Sequence, residues 1–296
     1  RRPVINFSLN VDSEAHDYAL NGSGRLEAGK SSDWRLNLAA LALRVAGRDW
    51  SLARPALVAQ DRDGVLLQEI KVVSGRERLA ADGRIRRGDL NLSFAAEQLD
   101  LEPWAGVFHS GDTVAGVMDL AVTLSGAPDR PRLDSALTIE KPVYRGASLD
   151  RISGALNYEA GRFNLDLTGG SAATGEIKAT GFLPMRLSLM PGAFAVPRTG
   201  PLEVKIKAEE VGAGIIAILL PSLTDISGKL KVDVRLAGPV QSPLWNGKVK
   251  LRETSFSMPS WGLKMEKVSG KAMIADNLVT IEKLVGHSGR GKAGLS

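Results

Sequence analysis

The sequence predicts an all-β fold: an elongated antiparallel β-sheet bent into a groove, built of repeated units, with one or two short helical plugs. Three observations predict it. Apolar and polar residues alternate with period two through most of the chain, Gly, Asp, Asn and Pro punctuate the runs at hairpin spacing, and a long internal repeat aligns without a gap. A composition of 44% hydrophobic and 24% charged residues is that of a folded chain, and 32 glycines in 296 residues imply many tight turns.

Taken in order, Ile5, Phe7, Leu9 and Val11 alternate with Asn6, Ser8 and Asn10, so an extended chain has one apolar and one polar face there. Asp61-Arg62-Asp63-Gly64 marks a turn. Leu90, Leu92 and Phe94 then alternate with Asn91 and Ser93. LEPWAGVF, Leu101 to Phe108, is a compact apolar stretch long enough for two or so helical turns, the first plug. Met118, Leu120, Val122 and Leu124 resume the alternation. After a turn at Glu159-Ala160-Gly161 come Phe163, Leu165 and Leu167 against Asn164 and Asp166, and later Leu202, Val204 and Ile206 against Glu203, Lys205 and Lys207. GIIAILLPSL, Gly214 to Leu223, is the second plug. KLKVDVRLAG, Lys229 to Gly238, is the cleanest strand: Leu230, Val232, Val234 and Leu236 alternate without error against Lys229, Lys231, Asp233 and Arg235. Val249 and Leu251 carry the pattern on.

The repeat relates LNLSFAAEQLDLEPWAGVFHSGDTVAGVMDLAVTLSGAPDRP to LEVKIKAEEVGAGIIAILLPSLTDISGKLKVDVRLAGPVQSP at an offset of 112 residues, pairing Ala96-Glu97 with Ala208-Glu209, Gly116 with Gly228, Gly126 with Gly238 and Pro131 with Pro243. A four-residue insertion near Met258 to Trp261 then brings Gly154 onto Gly270, Gly161 onto Asn277 and Gly175 onto Gly291. The chain reads as one continuous segment, 1–296, of approximate units 1–89, 90–201 and 202–296. A sandwich needs a second sheet over its apolar face, which a sheet growing one way by hairpins does not supply. Such a sheet can bend into a trough. At ~10 residues per strand and turn, about 30 strands would extend on the order of 140 Å. The expected groove lining is Leu92, Phe94, Met118, Leu120, Val122, Leu124, Phe163, Leu165, Leu167, Val204, Ile206, Leu230, Val232, Val234, Leu236, Val249 and Leu251.

Charge and composition narrow the function. The 38 basic and 33 acidic residues are interleaved along the chain, leaving +5, so neither Lys/Arg clustered on one face nor, with 5% aromatics, a set of stacking rings is expected, and no nucleic-acid partner is expected. Cys is absent, which excludes a disulfide framework, a thiolate metal site and a cysteine nucleophile. The longest apolar run, Val211 to Leu220, is far short of the ~20 residues a membrane-spanning helix needs. The chain opens at Arg1 and closes on GKAGLS, which reads as mid-strand, so it is expected to be a piece of a longer protein. GRLEAGKS, Gly24 to Ser31, matches a phosphate-binding loop, yet its flanks alternate like strands; it is expected to be a hairpin turn. GAGIIA, Gly212 to Ala217, imitates a dinucleotide fingerprint but meets Pro221 too soon to open a helix. His16, His109 and His287 are scattered with no repeated acidic or Ser neighbour, and no catalytic residue, metal or cofactor is expected.

The Leu-Gly-x-x-x-x-Pro-like signals at Leu124 to Pro131 and Leu236 to Pro243, followed by SLDRISGALNYEAGRFNLDLTGG, resemble the TamB family within the AsmA-like group of bacterial envelope proteins. GFLPMRLSLMPGAFAVPRTGPL (Gly181 to Leu202) and LKMEKVSGKAMIADNLVTIEKLVGHSGRGKAGLS (Leu263 to Ser296) are similar to it as well, and the resemblance runs from about Trp50 onward. It implies a β-taco with a hydrophobic groove, crossing the periplasm of a Gram-negative bacterium as part of an inner-membrane-anchored protein. Phospholipids would be its cargo between inner and outer membrane. The inner-membrane anchor and the part engaging an outer-membrane BamA-type barrel, TamA, are expected outside this segment. The alternative implied role is a scaffold or chaperone for outer-membrane protein (autotransporter) assembly.

Overall fold

Alternation becomes strand through most of the chain, because an extended residue places successive side chains on opposite faces and an apolar face gains by meeting its neighbours. The computed structural model describes residues 3–13, 18–29, 33–45, 47–86, 88–105, 113–144, 147–171, 175–189, 194–195, 200–218, 222–289 and 291–295. Strands β1 (Val4–Ser13), β2 (Tyr18–Ala28) and β3 (Trp34–Val45) pair in succession. The next strand is broken. Its first part, β4 (Arg48–Leu52), pairs with the C-terminal half of β3, and its second, β5 (Ala56–Gln60), with the N-terminal half. The break contains Pro55, which has no N–H to donate to a ladder.

Then follow β6 (Gly64–Ser74), β7 (Glu77–Arg86), β8 (Asp89–Asp100), β9 (Val114–Ala127) and β10 (Arg130–Tyr144), each hydrogen-bonded to the one before. β11 (Ala147–Ser148) and β12 (Arg151–Glu159) together face β10, and β13 (Arg162–Ser171) and β14 (Gly175–Pro184) continue. β15 (Arg186–Leu187) and β16 (Phe194–Ala195) form a separate two-stranded pair. β17 (Pro201–Gly212) rejoins the main sheet on β14, and β18 (Thr224–Pro239), β19 (Leu244–Met258), β20 (Leu263–Ala275), β21 (Leu278–Ser288) and β22 (Gly291–Leu295) complete it.

The result is one antiparallel sheet of 20 strands in chain order. The expected count of about 30 strands is too high, because strands reach 16 residues, as in β18. With β4/β5 and β11/β12 each sharing one place, the sheet spans about 80 Å at ~4.8 Å per strand.

The repeat is visible in the backbone. Register shifts fall between Ala96 and Leu99 in β8 and between Ala208 and Val211 in β17, with Gln98 and Glu210 both left-handed at φ 54° and 53°. Lys141 and Glu253 share the same conformation at the same offset. The turns at Ala160-Gly161 and Asp276-Asn277 both hold two left-handed residues, the geometry that matches the twist of a tight hairpin. The four-residue insertion is a 3-10 turn, Pro259–Trp261, standing out from the sheet with Trp261 78% exposed.

Both sequence-predicted plugs are 3-10 helix. Glu102–Trp104 makes a single turn, with Gly106 to Phe108 outside the described residues, and Ala213–Ile218 makes two. A further strap lies along the opposite rim. After β14 the chain turns across the strand ends, where Met185 N–H donates to Gly161 O (2.9 Å), Leu187 N–H to the Tyr158 hydroxyl (3.1 Å) and Leu189 N–H to Pro128 O (2.8 Å).

Candidate apolar binding face

Cross-strand partners share a face, so the register decides whether the seventeen apolar positions lie together. They do. One row runs Leu120, Leu137, Gly154, Leu167, Ala179, Ile206, Val234, Gly247 and Ile274 across nine strand places. A second runs Met118, Ile139, Ile152, Gly169, Ile177, Ala208, Val232 and Val249. Phe94 faces Val122, Leu92 faces Leu124, and Leu165 leads through Gly181 to Val204 and Leu236. Phe163 lies beside Tyr158 and Leu183, and Leu251 beside Leu230.

These positions are not equally open. Phe94 is 41% exposed, whereas Leu230 and Val234 are 4% and 7% exposed, and the others lie between. The cover over Leu230 comes from the second 3-10 plug. Ala208, Val211, Ala213 and Leu230 form a buried cluster, with Ile215 and Ile216 of the plug, Ile177, Val232, Val249 and Leu251 packed against it. The preceding unit, 90–201, repeats this, with Trp50 of the first unit, Ala96 and Leu99 buried and Trp104, Leu79, Met118 and Leu120 against them. Ala96, Leu99 and Met118 are the repeat equivalents of Ala208, Val211 and Leu230. Leu230 is therefore covered by its own chain, which a reading of alternation alone does not reveal.

Trp50 was not among the expected residues, although Trp50 and Leu52 alternate with Asp49 and Ser51. Its ring meets that of Trp104 edge-on, with centroids 6.3 Å apart. Beside it, Arg48 reaches from β4 to Asp100 at the end of β8 (2.7 Å) and to Glu77 at the start of β7 (3.6 Å), and Asp100 N–H donates to Glu77 (2.9 Å). Glu77 is only 6% exposed, so this clamp ties three strands at one rim. Elsewhere the polar face carries ion pairs across strands. Hydrogen bonds from Arg235 (3.1 Å) and then Lys205 hold the Glu203 carboxyl below the usual glutamate range.

The motif-like stretches fall into the sheet. Gly24 to Ala28 lie within β2, Gly29 N–H donates to Asp33 O (2.6 Å), and β3 follows with no helix between among the described residues; Lys30 and Ser31 lie outside them. His16 and His109 also lie outside them, and His287 is exposed on β21 opposite Glu266. No helix is long and apolar enough to cross a membrane among the described residues. No protein-family model, no curated protein and no solved structure matches the chain.

Proposed function

We propose that this chain is a non-enzymatic segment of a bridge that conducts phospholipids across the periplasm between inner and outer membrane, acyl chains lying on the apolar face. The observation that carries the reading is the continuity of that face. Its rows pass through consecutive strands, and the principal contacts of the strands are with hydrogen-bonded neighbours, except for the two-residue β11, which meets the Ala213–Ile218 plug; the plugs cross only part of the face. Contiguous apolar surface beyond a few hundred Å² is rare without a ligand or partner.

Local curvature supports a trough. Trp50 on β4 is three strand spacings from Ala96 and Leu99 on β8, ~14 Å on a flat sheet. Their shared cluster calls for bending toward the apolar side. Each buried acyl CH₂ contributes ~0.8 kcal/mol without directionality, so a chain can slide along such a track while its head group stays in water. The resemblance to the TamB family supplies the compartment and the two membranes.

The test is native mass spectrometry with lipid extraction on protein purified from bacterial envelopes. Co-purifying phospholipids are expected, and Phe94→Arg combined with Val204→Arg should remove them while circular dichroism stays that of a sheet. A lipid-free, stably folded wild-type protein would overturn the conduit and leave the assembly-scaffold role in its place.

A further inference from the structure

The polar face holds a feature that chain order hides. Residues 1–200 carry 24 Lys or Arg and 24 Asp or Glu, while residues 201–296 carry 14 and 9, so the whole net charge of +5 falls in the last unit. There the register stacks it. Lys231 faces Lys250, Lys250 faces Lys271, and Lys271 faces Lys283, four ammonium side chains in one row across β18 to β21. The expectation of no basic cluster, drawn from interleaved signs, is thus corrected by the fold.

Directly opposed like charges destabilise a sheet, and pairs before β14 set opposite signs together, Arg78 against Glu97 and Arg151 against Glu140; like pairs begin where β14 meets β17, with Glu176 opposite Glu209 and Lys178 opposite Lys207. In the row, Lys231 pairs with Glu209 and Lys271 with Glu282, each at 2.5 Å. Lys250 and Lys283 have no carboxylate within ion-pair distance among the described residues, nor does Lys248 beside them. The row also runs into a hollow of about 410 Å³ lined by Lys229, Lys231, Lys250 and Arg252 together with Glu209 and Glu210. Both carboxylates are already engaged, Glu210 by Arg252, so the hollow presents surplus cations.

We propose that this hollow and the lysine row leading from it bind a polyanion bearing two or more phosphate groups. Ammonium groups are compact, strongly hydrated charges suited to phosphate oxygens, and a hollow of this volume accommodates a small phosphorylated group while the row neutralises the remainder. The same chemistry is offered by a free polyphosphate and by adjacent anionic lipid head groups, each bringing one phosphate. The site lies on the opposite face from the apolar rows and does not rest on the lipid-conduit reading.

Calorimetric titration with tripolyphosphate and co-sedimentation with phosphatidylglycerol vesicles, against phosphatidylcholine as blank, test it at low salt. Binding is expected to weaken about fivefold for each lysine removed, so roughly 25-fold for Lys250→Gln with Lys271→Gln, and to survive Lys250→Arg with Lys271→Arg. Removing the same charge from the neutral units, by Arg84→Gln with Arg151→Gln, should leave it unchanged. Affinity for tripolyphosphate alone identifies a soluble ligand, and affinity for the vesicles alone a head group. Binding of neither probe, or binding indifferent to the lysine pair, overturns the proposal. Lys250 is exposed and the Lys271 side chain is 36% exposed, and thermal midpoints no lower than wild type will show that the Gln variants remain folded.

Discussion

At the scale of single residues, cover decides which apolar side chains hold the fold and which stay available. Trp50 is 2% exposed and packs with Ala96, Leu99 and Trp104, whereas Trp245, on the same apolar face, is 40% exposed. Trp50→Ala should therefore lower the unfolding free energy by ~3–5 kcal/mol, the range for deleting a buried aromatic ring, and Trp245→Ala by less than ~1 kcal/mol. Urea titration followed by far-ultraviolet circular dichroism measures both; equal losses would mean that Trp50 is not the centre of its cluster. The alternation of Trp50 and Leu52 against Asp49 and Ser51 is the signal that could have placed this ring on the apolar face. Its partners are legible only after folding, since Ala96 and Leu99 come from a strand far along the chain.

At the scale of elements, two glycines allow neighbouring strands to approach in a way that no other residue would. Gly154 has φ +154°, and a Cβ there would stand 2.0 Å from Asp166 O. Gly247 has φ +152°, and its Cβ would meet Asp233 O at 2.2 Å. Both sit in the apolar row that passes through Leu167 and Val234, where a side chain would have to displace backbone. Gly247→Ala should cost at least ~1–3 kcal/mol from backbone strain alone and loosen the β18–β19 pairing. Hydrogen exchange read at Lys248 and Lys250 would report it, and unchanged protection would show the strands free to separate without loss. The bulges behave differently. Gln98 and Glu210 adopt left-handed conformations that cost an ordinary residue of the order of 1–2 kcal/mol, so local preference argues against them and no glycine announces them. They were invisible in the sequence, although the repeat had already aligned the two sites.

At the scale of the molecule, the sheet is a one-dimensional array whose units differ in charge. The neutral first 200 residues balance opposite charges, while β18 to β21 carry the lysine row. Added salt screens exposed like charges within a Debye length of ~10 Å at 0.1 M. Raising the salt should then slow amide exchange in β18–β21 selectively and leave β6–β10 little changed, as followed by hydrogen–deuterium exchange mass spectrometry. A uniform response along the chain would mean that the row carries no excess repulsion. The sequence by itself determined the strands, their two faces, the tight hairpins and the repeat, because alternation, turn chemistry and spacing are properties of neighbouring residues. Only the tertiary structure decided that lysines from four strands stack in one row and that the plugs close over Leu230 but leave Phe94 open. Register between strands is set by bulges and turn lengths acting at a distance, and one residue of shift would have given each of these side chains a different neighbour.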